Sequence, residues 1–274
     1  MTFIFVYLYT LYIQGCIKEM STLPNNLAEN GLALEFASDA LKDDKEFVLV
    51  AVKQNGLALK YASHTLKNDK EVVLAAIAQN GLALRYVSDA FKNDKEFVLA
   101  AIAQNGLALA FSSALKDNKE FVLVAVAQNG LALKYASAFQ DNKEVVLAAV
   151  AQNGLALHYA ALQDREVVLA AVTQHGVALH FAALQDKGVV LAAVAQNGWA
   201  LEFAPQALQR NKEVVLAAVK QNGLALEFAS AALKNNKGVV LAAVAQNGWA
   251  LRHVSDALKN DKEVVLAAVK QNGL

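Results

Sequence analysis

Histidine is the side chain here best suited to chemistry near neutral pH, and three of the five fall close together: His158, His175 and His180. An imidazole can move a proton near pH 7 or ligate a transition metal. His158 and His180 hold one place in two successive copies of a pattern, HYAALQDREVV and HFAALQDKGVV, and His175 replaces an Asn nearby. A metal site needs further donors converging, yet no Cys or carboxylate recurs beside these histidines at ligand spacing, and equivalent places in stacked repeats begin roughly 8–10 Å apart. A histidine-lined surface without a metal is the expectation; His64 and His253 stand alone. Lys-Glu pairs such as Lys70-Glu71 recur in most copies, whereas acid–base catalysis needs one constellation, not a ladder of solvated pairs. Cys16 is the only cysteine, which excludes an internal disulfide framework and a Cys-x-x-Cys zinc site. No Gly-rich phosphate loop occurs, because each glycine stands alone at a joint. The chain reads as a non-enzyme with no catalytic residues, no cofactor and no metal.

The elements that carry these residues follow from a repeat. Glycines after Gln-Asn or a near variant fall at Gly31, Gly56, Gly81, Gly106, Gly130, Gly154, Gly176, Gly198, Gly223, Gly248 and Gly273, a period of 22 to 25 residues. Such regularity means stacked supersecondary units. The first segment of each unit, as in DKEFVLAAIAQN, is rich in helix formers, and Asp or Asn precedes its Lys or Arg in every copy, an N-cap column. Glu46, Glu71, Glu96 and Glu120 sit where a helix dipole favours a negative charge. Gly after Asn reads as the left-handed residue that closes a helix. The second segment, LAL-x-aromatic-Ala, reads as a short helix of about two to three turns, with Leu57, Tyr61 and Leu66 on one apolar stripe. A leucine-rich repeat shares this period, but its third Leu place holds Gln79 and its Asn arrives early. The expected fold is all-α, an α-solenoid of ten short two-helix repeats over residues 24–274. Losing three residues in the short copies implies a local change of curvature over 154–198.

The stretch NDKEVVLAAIAQNGLALRYVSDAFKNDKEFVLAAIAQNGLAL, residues 68–109, resembles the tandem repeats known as domain of unknown function 4116. Its motif, [ND]-[KR]-E-x-V-L-x-A-V-x-x-[ND]-G-x-A-L-x-[YF]-A, runs through residues 27–274. The resemblance implies an all-helical array with no assigned chemistry and no catalytic residue to carry over. Because similar proteins occur in intracellular bacteria, it also allows a host's cytoplasm besides the chain's own.

Residues 1–23 differ from the rest. MTFIFVYLYTLYIQGCIK has no charge before Lys18 and leaves three readings open: a weak anchor or signal, an apolar lid on the first repeat, or translation from Met20. A membrane partner enters only if this head is retained; a cytoplasmic place is favoured otherwise. Lys plus Arg equals Asp plus Glu at 25 each, so nothing in the balance calls for nucleic acid.

Within the array the cap, core and Gly columns hardly vary, but the residue after Leu-Ala-Leu does: Glu35, Lys60, Arg85, Ala110, Lys134, His158, His180, Glu202, Glu227 and Arg252. A fixed scaffold with one varied column is how solenoids build recognition surfaces. Residues 187–201 recur identically at 237–251, carrying Trp199 and Trp249 into a Leu column; a Trp overfills a packed core, so that column reads as partly exposed. The candidate binding residues are Lys60, Arg85, Lys134, His158, His180, Trp199, Glu202, Glu227, Trp249 and Arg252, and the partner a protein or peptide. The alternative is a structural spacer that recognises nothing.

Overall fold

A computed structural model describes residues 31–272. The apolar head and its three readings lie outside the described residues. Those described are helical, without a strand among them, and pack as two compact units divided after Phe121, within the helix Lys119–Gln128. Each unit is a stack of one two-element repeat, the local architecture of an α-solenoid. No described helix is long and apolar enough to cross a membrane.

The first element is a ten-residue α-helix, as in Lys70–Gln79 and Lys143–Gln152. It starts where the Asp or Asn column caps it: Asp164 accepts from Val167 N at 3.0 Å and Asn142 from Val145 N at 3.3 Å. A helix this short is marginal alone in water, so burial must hold it. Val72, Val73, Ala76 and Ile77 are fully buried, as are Val145, Val146, Ala149 and Val150. One small Ala per turn lets neighbouring helices approach closely.

The second element, expected as a short helix of about two to three turns, is helical but of the tighter kind. It is a six-residue 3-10 helix, Gly106–Phe111 in that copy and Gly56–Tyr61 in an earlier one. Three residues per turn eclipses residues three apart. Gly56 therefore shares an edge with Leu59, and both are buried; Ala58 shares one with half-buried Tyr61; Leu57, partly exposed, lines up with exposed Lys60.

The expected left-handed glycine is also absent: no described glycine has positive φ. Two contacts explain the tripeptide instead. Asn55, with extended backbone, closes the helix before it through its N–H to Ala51 O, and its Oδ1 accepts from Leu57 N at 3.0 Å to cap the 3-10 helix after it. The glycine is needed for close approach. A Cβ on Gly198 would lie 2.6 Å from the Ala218 carbonyl oxygen of the next repeat, nearer than real Cβ atoms come.

Glutamine completes the clasp between repeats. Gln79 Oε1 accepts from Gly56 N at 2.5 Å, and its Nε2 donates to Gln54 O at 3.3 Å. Gln221 does the same to Gly198 at 2.6 Å and Gln196 O at 3.4 Å, and Gln246 to Gly223 and Gln221 O at 2.5 and 3.3 Å. At one joint His175 substitutes, its Nδ1 accepting from Gly154 N at 3.1 Å.

The shortened copies lose only their connector. Between Tyr86 and Lys95 a four-residue helix, Asp89–Lys92, links the elements; between Tyr159 and Arg165 there is no helix. Gln163 and Gln185 take over there, their Nε2 groups donating to Leu157 O and Leu179 O at 3.3 and 2.8 Å. Both main elements keep their length, so the deletion falls between them and removes no turn of either.

Candidate functional site

Two rows of polar side chains run along the repeats. The first lies at the amino ends of the long helices, where a Lys or Arg reaches toward the next repeat, and in at least three copies to both its cap and its first-turn Glu. Lys45 meets Asp69 and Glu71, each at 2.9 Å; Lys143 meets Asp164 and Glu166 at 2.9 and 2.6 Å; Lys237 meets Asp261 and Glu263 at 2.8 and 2.7 Å. Arg165 pairs with Asp186, its guanidinium lying where a side chain at Gly188 would intrude.

The electrostatics follow from these contacts. The hydrogen bond from Lys45 holds the Asp69 carboxyl below the usual carboxylate range, and Lys237 does so for Asp261. For Asp164 and Asp186 the largest cause is the backbone N–H of Val167 and of Val189. The ammonium groups of Lys45, Lys143 and Lys237 are raised in turn, by Glu71, Glu166 and Asp261 first. These charges are consumed by the neighbouring repeat. Ion pairs so exposed contribute little stability individually.

The second row is the outer edge of the 3-10 helices, which brings together the varied column and the Leu or Trp column three residues before it. Every predicted binding residue is exposed there. In the first unit Lys60 and Arg85 lie over their own Tyr61 and Tyr86 rings, 5.0 and 5.8 Å from the centroids. In the second, Lys134 lies 5.7 Å from the Tyr135 ring. His158 and His180 interleave with aromatics from successive repeats: Tyr159 to His158 at 4.8 Å, His158 to Phe181 at 4.6 Å, His180 to Phe181 at 4.9 Å and His180 to Phe203 at 4.8 Å. The result is a ladder of five rings. The Phe181 ring stands between the two imidazoles, and among the described residues no three His, Cys, Asp or Glu gather as metal ligands.

Beside the ladder runs an open groove of ≈ 400 Å³, floored by Leu131, Leu155 and Val177. Further along, Trp199 is 37% exposed and meets the Phe228 ring edge-on at 5.6 Å, while Trp249 is 63% exposed. Glu202 and Glu227 are solvent-facing; Glu227 comes within 3.8 Å of His253 Nε2, and burial pushes that imidazole's pKa down despite the carboxylate. Along the second unit the edge passes from cationic Lys134 through two imidazoles to two carboxylates and then Arg252. An apolar strip flanked by graded charge can take an extended or helical chain, giving side-chain pockets and electrostatic register.

The half-buried aromatic column, Tyr61 to Phe228, belongs to this edge but is absent from the binding residues predicted from sequence. Its near-constancy one place after the varied column was the available signal.

The model of the family described as domain of unknown function DUF4116 matches residues 27–67, 69–115, 94–140, 118–163, 142–185, 186–234 and 236–274, and the chain belongs to that family. No curated protein and no solved structure matches it.

Proposed function

We propose, with membership of that repeat family as the premise, that the chain is a non-enzymatic scaffold that binds a protein or peptide along the exposed edge of its 3-10 helices. The observation that supports this is the contrast in charge use. Charges at the helix amino ends, such as Lys45, Lys143 and Lys237, are paired with the next repeat, whereas those on the edge are varied and face solvent beside partly exposed aromatic and aliphatic side chains. Rigid aromatic anchors with charge around them are the usual core of a recognition surface. The chain works in a cytoplasm, its own cell's or a host's, where a fold held by packing alone needs no disulfide.

The test is a triple charge reversal, Lys60→Glu, Arg85→Glu and Lys134→Glu, compared with the unaltered chain by quantitative affinity capture. The expected result is loss of the specifically retained partners at unchanged helicity. Recovery of the same partners in the same amounts would sink the recognition edge and leave a spacer.

A further inference from the structure

The groove beside the imidazole ladder lies inside the second unit and repeats with a period that selects the backbone of its ligand. The 3-10 helices Gly130–Tyr135, Gly154–Tyr159 and Gly176–Phe181 each give it one aliphatic floor residue, Leu131, Leu155 and Val177. The wall advances in the same steps. Phe181 stands 4.6 Å from His158 and 4.9 Å from His180, so the two imidazoles lie at most about 9.5 Å apart, one packing step between helices. A chain laid along this edge therefore meets an equivalent place about every 9 Å. A polyproline II helix turns once in three residues and advances about 9 Å in doing so, which keeps it in register with the repeats. An α-helix, at about 5.4 Å per turn, and a strand, at about 7 Å per pair of residues, match that step less well.

The chemistry of the wall agrees with the spacing. A polyproline II chain has no internal hydrogen bonds, so its carbonyl oxygens need donors from outside. His158 and His180 are exposed and Tyr159 half-buried, and all three carry N–H or O–H groups on the rims of rings that stand over the apolar floor. Aromatic ridges with polar rims are what proline-rich segments dock on. Charge sets the ends. Lys134 stands at the Leu131 end of the groove, and Glu202, beside the lining residue Phe203, at the other, with Glu227 one repeat further; all three are exposed. We propose that this groove binds a proline-rich segment in the polyproline II form, about three turns long, with acidic residues at its Lys134 end and basic residues at its Glu202 end. The proposal rests on the edge being a recognition surface and narrows its partner to one kind of backbone.

Fluorescence anisotropy of labelled synthetic peptides, titrated with the full chain, tests it. The probe is Asp-Asp-Pro-Pro-Leu-Pro-Pro-Leu-Pro-Pro-Leu-Arg-Arg, and its control carries Gly at every Pro, which keeps the charges and leucines but removes the preformed helix. The proline peptide is expected to bind saturably and the glycine peptide at least about tenfold more weakly. The double variant His158→Ala, His180→Ala should lose about tenfold in affinity for the proline peptide at unchanged helicity. Should that variant lose helicity, Lys134→Glu replaces it: it weakens the proline peptide, and a peptide with Lys-Lys in place of Asp-Asp binds it more tightly than it binds the unaltered chain. Equal binding of the proline and glycine peptides, no saturable binding of either, or binding unmoved by these substitutions overturns the proposal. If that happens while the chain with Lys60, Arg85 and Lys134 reversed still loses its captured partners, the edge stands and only the backbone form of its partner falls; retention of those partners removes the edge itself.

Discussion

The Gln-Asn-Gly clasp and the varied edge are a few residues apart in every repeat, yet they differ in where their polar groups end. In the clasp, the Gly N–H, the Gln side-chain amide and the Asn side-chain oxygen each find a partner in an adjoining or the same repeat. On the edge, Lys60, Arg85 and Glu202 project outward. Regularity marks the first because a joint must fit an identical joint, and variety is tolerated on the second, where Lys60 and Arg85 lie over the tyrosine beside them in the same repeat instead of closing a joint. The residue types with most chemistry, the histidines, divide between the two: His175 serves the clasp, His158 and His180 the edge.

The contrast breaks first under a methyl group. Gly198→Ala drives a Cβ into the Ala218 carbonyl and is expected to cost about 1–3 kcal/mol in denaturant unfolding. Glu202→Lys, four residues on along the edge, is expected within about 0.5 kcal/mol of the unaltered chain. Equal effects of the two would remove the distinction.

Acid gives a smaller effect. The lowered carboxyls of Asp164, Asp186 and Asp261 are ionised more readily folded than unfolded. Their stabilisation is complete above about pH 4, the ordinary Asp range, and is lost as pH falls through the lowered folded values. Joints capped by Asn142, Asn211 and Asn236 carry no such dependence. Replacing Asp164, Asp186 and Asp261 by Asn should therefore lower stability near neutral pH while changing it little in acid, so that denaturant stability falls less steeply as pH drops. An unchanged pH dependence would show that these caps hold no differential charge.

Much of the scaffold was legible because its signals are local. The cap column, the Val-Val-x-x-Ala-Val core and the period can each be read inside one repeat, and the structure places Asp69 and Val72 accordingly. Gly56 was misread because Asn-Gly after a helix is also the pattern of a left-handed close. What decides the matter is the backbone of the following repeat against its Cα, a contact no single repeat contains. Gln79 was passed over for the same reason: its partners are Gly56 and Gln54, in the repeat before. The clue was its persistence where the residue before it changes among Lys53, Ala78 and Thr173. The 3-10 form of Gly106–Phe111 was also missed. Six residues between a cap and an extended Ser112 are too few for apolar spacing to separate a period of three from one of 3.6.

Amide exchange at the clasp tests most directly whether Gln-Asn-Gly is a joint between repeats and not a site. Residue-resolved hydrogen exchange, on the unaltered chain and on Gln79→Ala, should find the Gly56 N–H as slow as core helix amides in the first and markedly faster in the second, with Gly223 unchanged in both. A Gly56 amide that exchanges quickly in the unaltered chain, or keeps its protection without Gln79, would contradict the clasp.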